Sequence, residues 1–184
     1  MKQALLLIDI IHDFFHPEGR NYHPRYEDVR KHICALLEAA RDVGVPIIHA
    51  RESHRPGPDF EQPKLLPHCI EGTWDVGVPD WLDLHPEDIE VRKRRYSAFF
   101  STDLDLLLRE RGVRRLVVAG VKTHLCVRAT IQDAFAYGYE VWLPREATSS
   151  NHLHLAEASL EDIDRYFGFV VTTEKALEVL RRSA

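Results

Sequence analysis

Short β-branched or leucine-rich runs alternate along this chain with longer stretches whose apolar positions recur every three or four residues. Residues 4–9 (ALLLID) form a continuous apolar run that ends on a carboxylate, the signature of a strand buried on both faces. Residues 25–43 place Val29, Ile33, Leu36, Leu37 and Ala40 at helical spacing, with Gly44 as the stop. Strands are predicted at 45–50 and 88–92, and a helix at about 102–111 opened by Thr102 as N-cap and closed by Gly112. A strand at 114–120, a helix at 124–138 with Thr123 as N-cap, a strand at 139–144, a helix near 153–166, a strand at 168–172 and a terminal helix complete the series.

Buried strands alternating with helices predict an α/β protein with a parallel sheet covered by helices. In such folds ligands bind beyond the carboxyl ends of the strands. That rule selects Asp9, residues 50–54, Lys93 and residues 120–126 as the positions to inspect for chemistry. The exception to the alternation is 51–87, which holds six of the ten prolines. An irregular stretch of that length inside one domain is usually functional, although a surface insertion would carry the same composition.

The bulk numbers narrow the classes. The 184 residues fit a single domain, 1–184, and with 45% hydrophobic and 29% charged residues the composition is that of a globular protein. A net charge of −5 gives no basic footprint for nucleic acid or an anionic membrane. The run Ala4–Ile8 is too short for a signal peptide, and no segment approaches a membrane span. Three widely spaced cysteines without a CxxC pair favour a reducing, cytoplasmic setting.

Three residues stand out chemically. Cys126 follows a strand and the loop Gly120–Thr123, in the first turn of the next helix, where orphan amides and the helix dipole favour a thiolate and could hold an oxyanion. By position alone it could equally be a small core residue. Asp9 alone could cap a turn, and Lys93 within Arg92-Lys93-Arg94-Arg95 could belong to a solvated charge run. Their shared placement at strand ends instead brings an acid, a cation and a thiol to one sheet edge.

Longer motifs carry a family likeness. Leu7-Ile8-Asp9 with Asp13-Phe14, the stretch from Lys93 to Phe100 with Thr102-Asp103-Leu104, and Gly120-Val121-Lys122-Thr123-His124-Leu125-Cys126-Val127 followed by Thr130, Asp133-Ala134 and Gly138-Tyr139 resemble, in order, the motifs of isochorismatase-like, nicotinamidase-related hydrolases. The resemblance implies a three-layer α-β-α sandwich around a mostly parallel sheet of about six strands. It implies Cys126 as nucleophile, Asp9 as general base and Lys93 as the cation of a catalytic triad. A cis peptide before Lys122 would turn the backbone amides of Lys122 and Cys126 towards the oxyanion.

Glu52-x-His54 and later His68-Cys69 resemble the metal-binding stretch of nicotinamidases, implying a divalent Zn, Mn or Fe ion on Glu52, His54 and His68. Glu52 stands where relatives carry Asp, Asp59 is the nearest substitute for a further ligand, and Ile11 stands where Gln is common. Phe14 is the family-like pocket wall, with Trp74 and Tyr96 as further pocket candidates. The implied activity is hydrolysis of a small amide or N-carbamoyl compound through a thioester, by a homodimer or homotetramer. The alternatives left open are vinyl-ether hydrolysis of isochorismate and a non-catalytic binding protein that keeps the fold.

Overall fold

The computed structural model describes residues 1–58 and 64–182. Its elements follow in the order β1 (Gln3–Ile8), α1 (His12–Phe15), a 3-10 segment (Pro24–Val29), α2 (Arg30–Asp42), β2 (Ile47–Glu52), β3 (Ile89–Lys93), α3 (Leu104–Glu110), β4 (Arg115–Val121), α4 (Arg128–Ala136), β5 (Glu140–Pro144), β6 (Thr148–Ser149), α5 (Leu153–Tyr166), β7 (Phe169–Val171) and α6 (Thr173–Arg181). The strands form one parallel sheet in the order β3-β2-β1-β4-β5-β7, with β6 pairing the end of β4.

Strand alternation sorts the core into two layers. Leu5 and Leu7 face a cluster built with α2 and α6, while Leu6 and Ile8 face one built with α3, α4 and α5. Each of these four side chains is fully buried, contributing roughly 1.5–3 kcal/mol by leaving water. The result is the expected three-layer α-β-α sandwich.

Several boundaries move for local reasons. The strand predicted from residue 45 starts at Ile47, because Pro46 has no N–H for the ladder and supplies only its carbonyl, to Leu5 N at 2.9 Å. It runs on to Glu52, which pairs in register with Lys93. The helix predicted from residue 25 opens as a 3-10 segment at Pro24 before becoming α-helical at Arg30. Thr102 lies outside α3, where Asp103 holds the cap position, yet its Oγ1 still accepts the Leu104 amide at 3.3 Å. Thr123 does not cap α4. Its hydroxyl bonds Thr148 Oγ1 at 2.9 Å, and residues Thr123–Val127 form a wide π-helical turn ahead of the helix. Two short elements, α1 and β6, have no counterpart in the hydrophobic pattern because they are too brief to show a period.

The strand sequence reverses direction between β1 and β4. β2 and β3 are laid down on one side of β1, and β4, β5 and β7 on the other. A crevice at the carboxyl ends of β1 and β4 is therefore where this architecture places a ligand. None of the helices among the described residues is long and apolar enough to cross a membrane.

Candidate active site

Asp9 follows directly on β1 with a φ of 55°, a left-handed conformation that is uncommon outside glycine and clusters at functional positions. The kink turns its carboxylate into the crevice. Asp9 Oδ1 accepts the Glu52 amide at 2.7 Å, and Oδ2 lies 2.8 Å from Lys93 Nζ. Lys93 and Asp9 are both fully buried, whereas Arg92 and Arg94 on either side of the lysine are exposed. That alternation separates Lys93 from the charge run around it. The ammonium also donates to Arg95 O at 3.3 Å.

Cys126 completes the group from the opposite side of the crevice. It is buried, hydrogen-bonded to the Asp9 carboxyl, and its sulfur lies within 4.8 Å of oxygens of Asp9 and Glu52. The approach depends on Gly120. A Cβ there would lie 2.1 Å from Ile8 O, and its φ of 127° favours glycine. The Val121–Lys122 peptide is cis, as the motif implied.

The electrostatics depart from the expectation of a resting thiolate. Burial pushes the Cys126 thiol well above its ordinary value, with the Lys93 charge only partly opposing it. The wide turn also keeps Cys126 out of α4, which begins two residues later. Burial raises the Asp9 carboxyl against the pull of Lys93, and the nearby Glu52 charge adds to the rise, making it a better proton acceptor. Burial works against the Lys93 charge, but Asp9, Cys126 and Glu52 outweigh it and the ammonium stays protonated. The arrangement sets a thiol and a carboxyl, both raised by burial, beside a lysine whose charge its acidic neighbours hold.

A second group lies alongside. Glu52 Oε1 is 2.7 Å from His54 Nε2 and 3.0 Å from His68 Nε2, and one ligand atom from each of the three falls within 4.8 Å of the others. Burial would raise the Glu52 carboxyl, but the two imidazole hydrogen bonds hold it far below its usual range. The hydrogen bond to Glu52 lifts His68 to about 9. His54 is placed by a short parallel bridge to Ile70, and His68 Nδ1 meets Leu66 O at 2.9 Å. One carboxylate and two imidazoles with converging atoms fit a divalent cation such as zinc. Asp59 lies outside the described residues.

The pocket candidates divide. Phe14 is buried on α1 with Lys122 Nζ 5.4 Å above its ring. Tyr96 packs, half-buried, against the core cluster that contains Cys126. Trp74 is 49% exposed and stacks on His12 at 4.7 Å, a contact that fastens the long loop to α1. Asp13, quoted only as a motif member, proves to be an organising residue. It is fully buried and accepts from Arg20 N at 3.0 Å, Asn21 Nδ2 at 2.6 Å and the Cys69 thiol at 3.4 Å. A carboxylate in an apolar neighbourhood, four residues after Asp9, was the available signal. A cavity of about 430 Å³ at this end of the sheet is lined by Ser53, Arg55, Arg92, Arg94 and Arg95. Arg92 alternates with Lys93 along β3, so its side chain leaves the face opposite the Lys93 ammonium.

The isochorismatase domain model matches residues 3–175. The chain belongs to the isochorismatase family. As a member it is similar to a ureidoacrylate amidohydrolase of Agrobacterium fabrum, 33% identical over 175 residues that span 83% of this chain and 76% of that protein. It is also similar to a maleamate amidohydrolase of Pseudomonas putida, 31% identical over 190 residues covering 100% and 89% of the two chains. The crystal structure of an isochorismatase-like hydrolase from Alkaliphilus metalliredigens superposes with a TM-score of 0.92 at 31% identity, covering 97% of this chain and 99% of that one.

Proposed function

We propose that this family member is an amidohydrolase that cleaves the C–N bond of a small amide or N-carbamoyl compound, with Cys126 as nucleophile. The observation that carries this reading is the buried Asp9 carboxyl, shared between the Lys93 ammonium at 2.8 Å and the Cys126 thiol. The amidohydrolase names of its relatives agree with it.

The chemistry follows from the protonation states. Asp9 takes the thiol proton as the Cys126 sulfur bonds to the substrate carbonyl carbon, and the carbonyl oxygen becomes an oxyanion. The backbone amides of Lys122 and Cys126 are the donors for that oxygen. Asp9 returns the proton to the leaving nitrogen as the C–N bond breaks, leaving a thioester and free ammonia or amine. Asp9 then draws a proton from water, which attacks the thioester and releases the acid and the thiol. Lys93 keeps its charge throughout and offsets part of the burial that favours a protonated Asp9. Glu52, His54 and His68 would hold a divalent ion, which when bound supplies Lewis acidity for orienting the substrate.

Ammonia release from a panel of small amides, ureides and N-carbamoyl compounds tests the proposal. At least one member should turn over, and Cys126→Ala should lower kcat by about 10⁴-fold or more while leaving thermal unfolding cooperative. Retained turnover in Cys126→Ala would refute the covalent mechanism.

A further inference from the structure

Lys122 contributes more to the site than its backbone. Its side chain leaves the nucleophile loop and places Nζ 5.4 Å over the Phe14 ring, where it donates to Asn21 Oδ1 at 3.2 Å. Asn21 is in turn held by Asp13, whose oxygens are already engaged by the Arg20 amide, Asn21 Nδ2 and the Cys69 thiol. This relay orients the ammonium through a neutral amide and does not neutralise it. Neighbouring cations are treated differently: Lys93 pairs with Asp9, Arg92 with Glu71 and Glu90, and Arg51 with Glu90. Among the described residues no carboxylate lies within ion-pair distance of Lys122.

A half-buried, oriented cation four residues from the nucleophile, resting on an aromatic wall, is suited to an anion that arrives with the substrate. Tyr26 packs edge-on against Phe14, its ring 6.4 Å away and its side chain fully buried.

We propose that the Lys122 ammonium receives a substrate carboxylate, so that the compound cleaved is a short monoamide acid or ureido acid and not a neutral amide. The proposal rests on the amidohydrolase reading above and narrows its substrate class. Lys122 is here a binding and specificity residue. Its charge does not enter the bond-breaking steps.

The test compares maleamate, or the turned-over acid from the panel, with its neutral diamide isostere, in wild-type enzyme and in Lys122→Met and Lys122→Arg. The wild type should prefer the acid. In Lys122→Met the ratio of kcat/KM for acid over diamide should fall about 10- to 100-fold, mostly through KM, with partial rescue in Lys122→Arg. An unchanged ratio, or equal losses on both substrates, would overturn the carboxylate role. Calorimetric titration of the acid into Cys126→Ser, with and without Lys122→Met, reads binding without turnover. Binding that Lys122→Met weakens at least tenfold supports the proposal even if no amide is hydrolysed, an outcome that would count against the amidohydrolase reading alone. Binding indifferent to Lys122→Met overturns it.

Discussion

The two polar groups beside the crevice share Glu52 as neighbour but are built by different means. Asp9, Lys93 and Cys126 sit on or just beyond β1, β3 and β4, so the hydrogen-bond ladders fix their separation before any side chain chooses a rotamer. Of the second group only Glu52 is on a strand, and His54 and His68 come from the long loop, tied back by the bridge to Ile70. Chemistry that forms and breaks bonds at fixed positions is thus assigned to the sheet. The ligand set proposed for an exchangeable ion is assigned partly to loop.

Breaking the strand-built group should have the largest effect. Lys93→Met leaves Asp9 buried without its cation, and we expect kcat to fall about 10³-fold or more and stability to drop by about 3–5 kcal/mol in urea unfolding. Adding Asp9→Asn should recover part of that stability and none of the activity. Near-normal kinetics in Lys93→Met would return the lysine to the surface charge run. On the loop-built group, His54→Ala with His68→Ala should abolish stoichiometric zinc binding in equilibrium dialysis and lower turnover by roughly 10- to 100-fold. Full activity after exhaustive chelation would remove the ion from the reaction.

The smallest effect on turnover concerns β2 itself. His49 is buried on the opposite face from Glu52, and burial, aided by Arg51, pulls its pKa from 6.5 to about 4. The unfolded chain therefore takes up a proton first as the pH falls. Stability linked to His49 is present above about pH 6.5 and is lost towards pH 4 at up to about 1.4 kcal/mol per pH unit. Urea unfolding at pH 7, 5.5 and 4.5 should show this decline, and His49→Gln should flatten it. An identical slope in His49→Gln would place the acid sensitivity elsewhere.

The division between ladder and loop also explains what the sequence disclosed. Strand-like runs ending at Asp9, Lys93 or the Gly120 loop marked both the strands and the proposed catalytic residues, because the ends of parallel strands converge on one crevice. His54 and His68 were legible only through their family-like spacing, since nothing in loop composition encodes convergence. Helix-terminus logic favours a thiolate at Cys126, whereas burial and the wide π-helical turn oppose it, and both are properties of packing that local sequence does not reveal. Asn21 carried no signal at all, as its contacts with Asp13 and Lys122 come from segments that meet only after folding.

The central place of β1 has a consequence for the growing chain. On a translating ribosome one side of this strand finds β2 early, whereas the other side waits for β4, made only after the long loop, β3 and α3. Until then a strand apolar from Ala4 to Ile8 presents unsatisfied amides to any neighbouring nascent chain, the situation in which edge-to-edge association begins. A premature stop between β3 and β4 should consequently yield insoluble material and not a weakly active fragment.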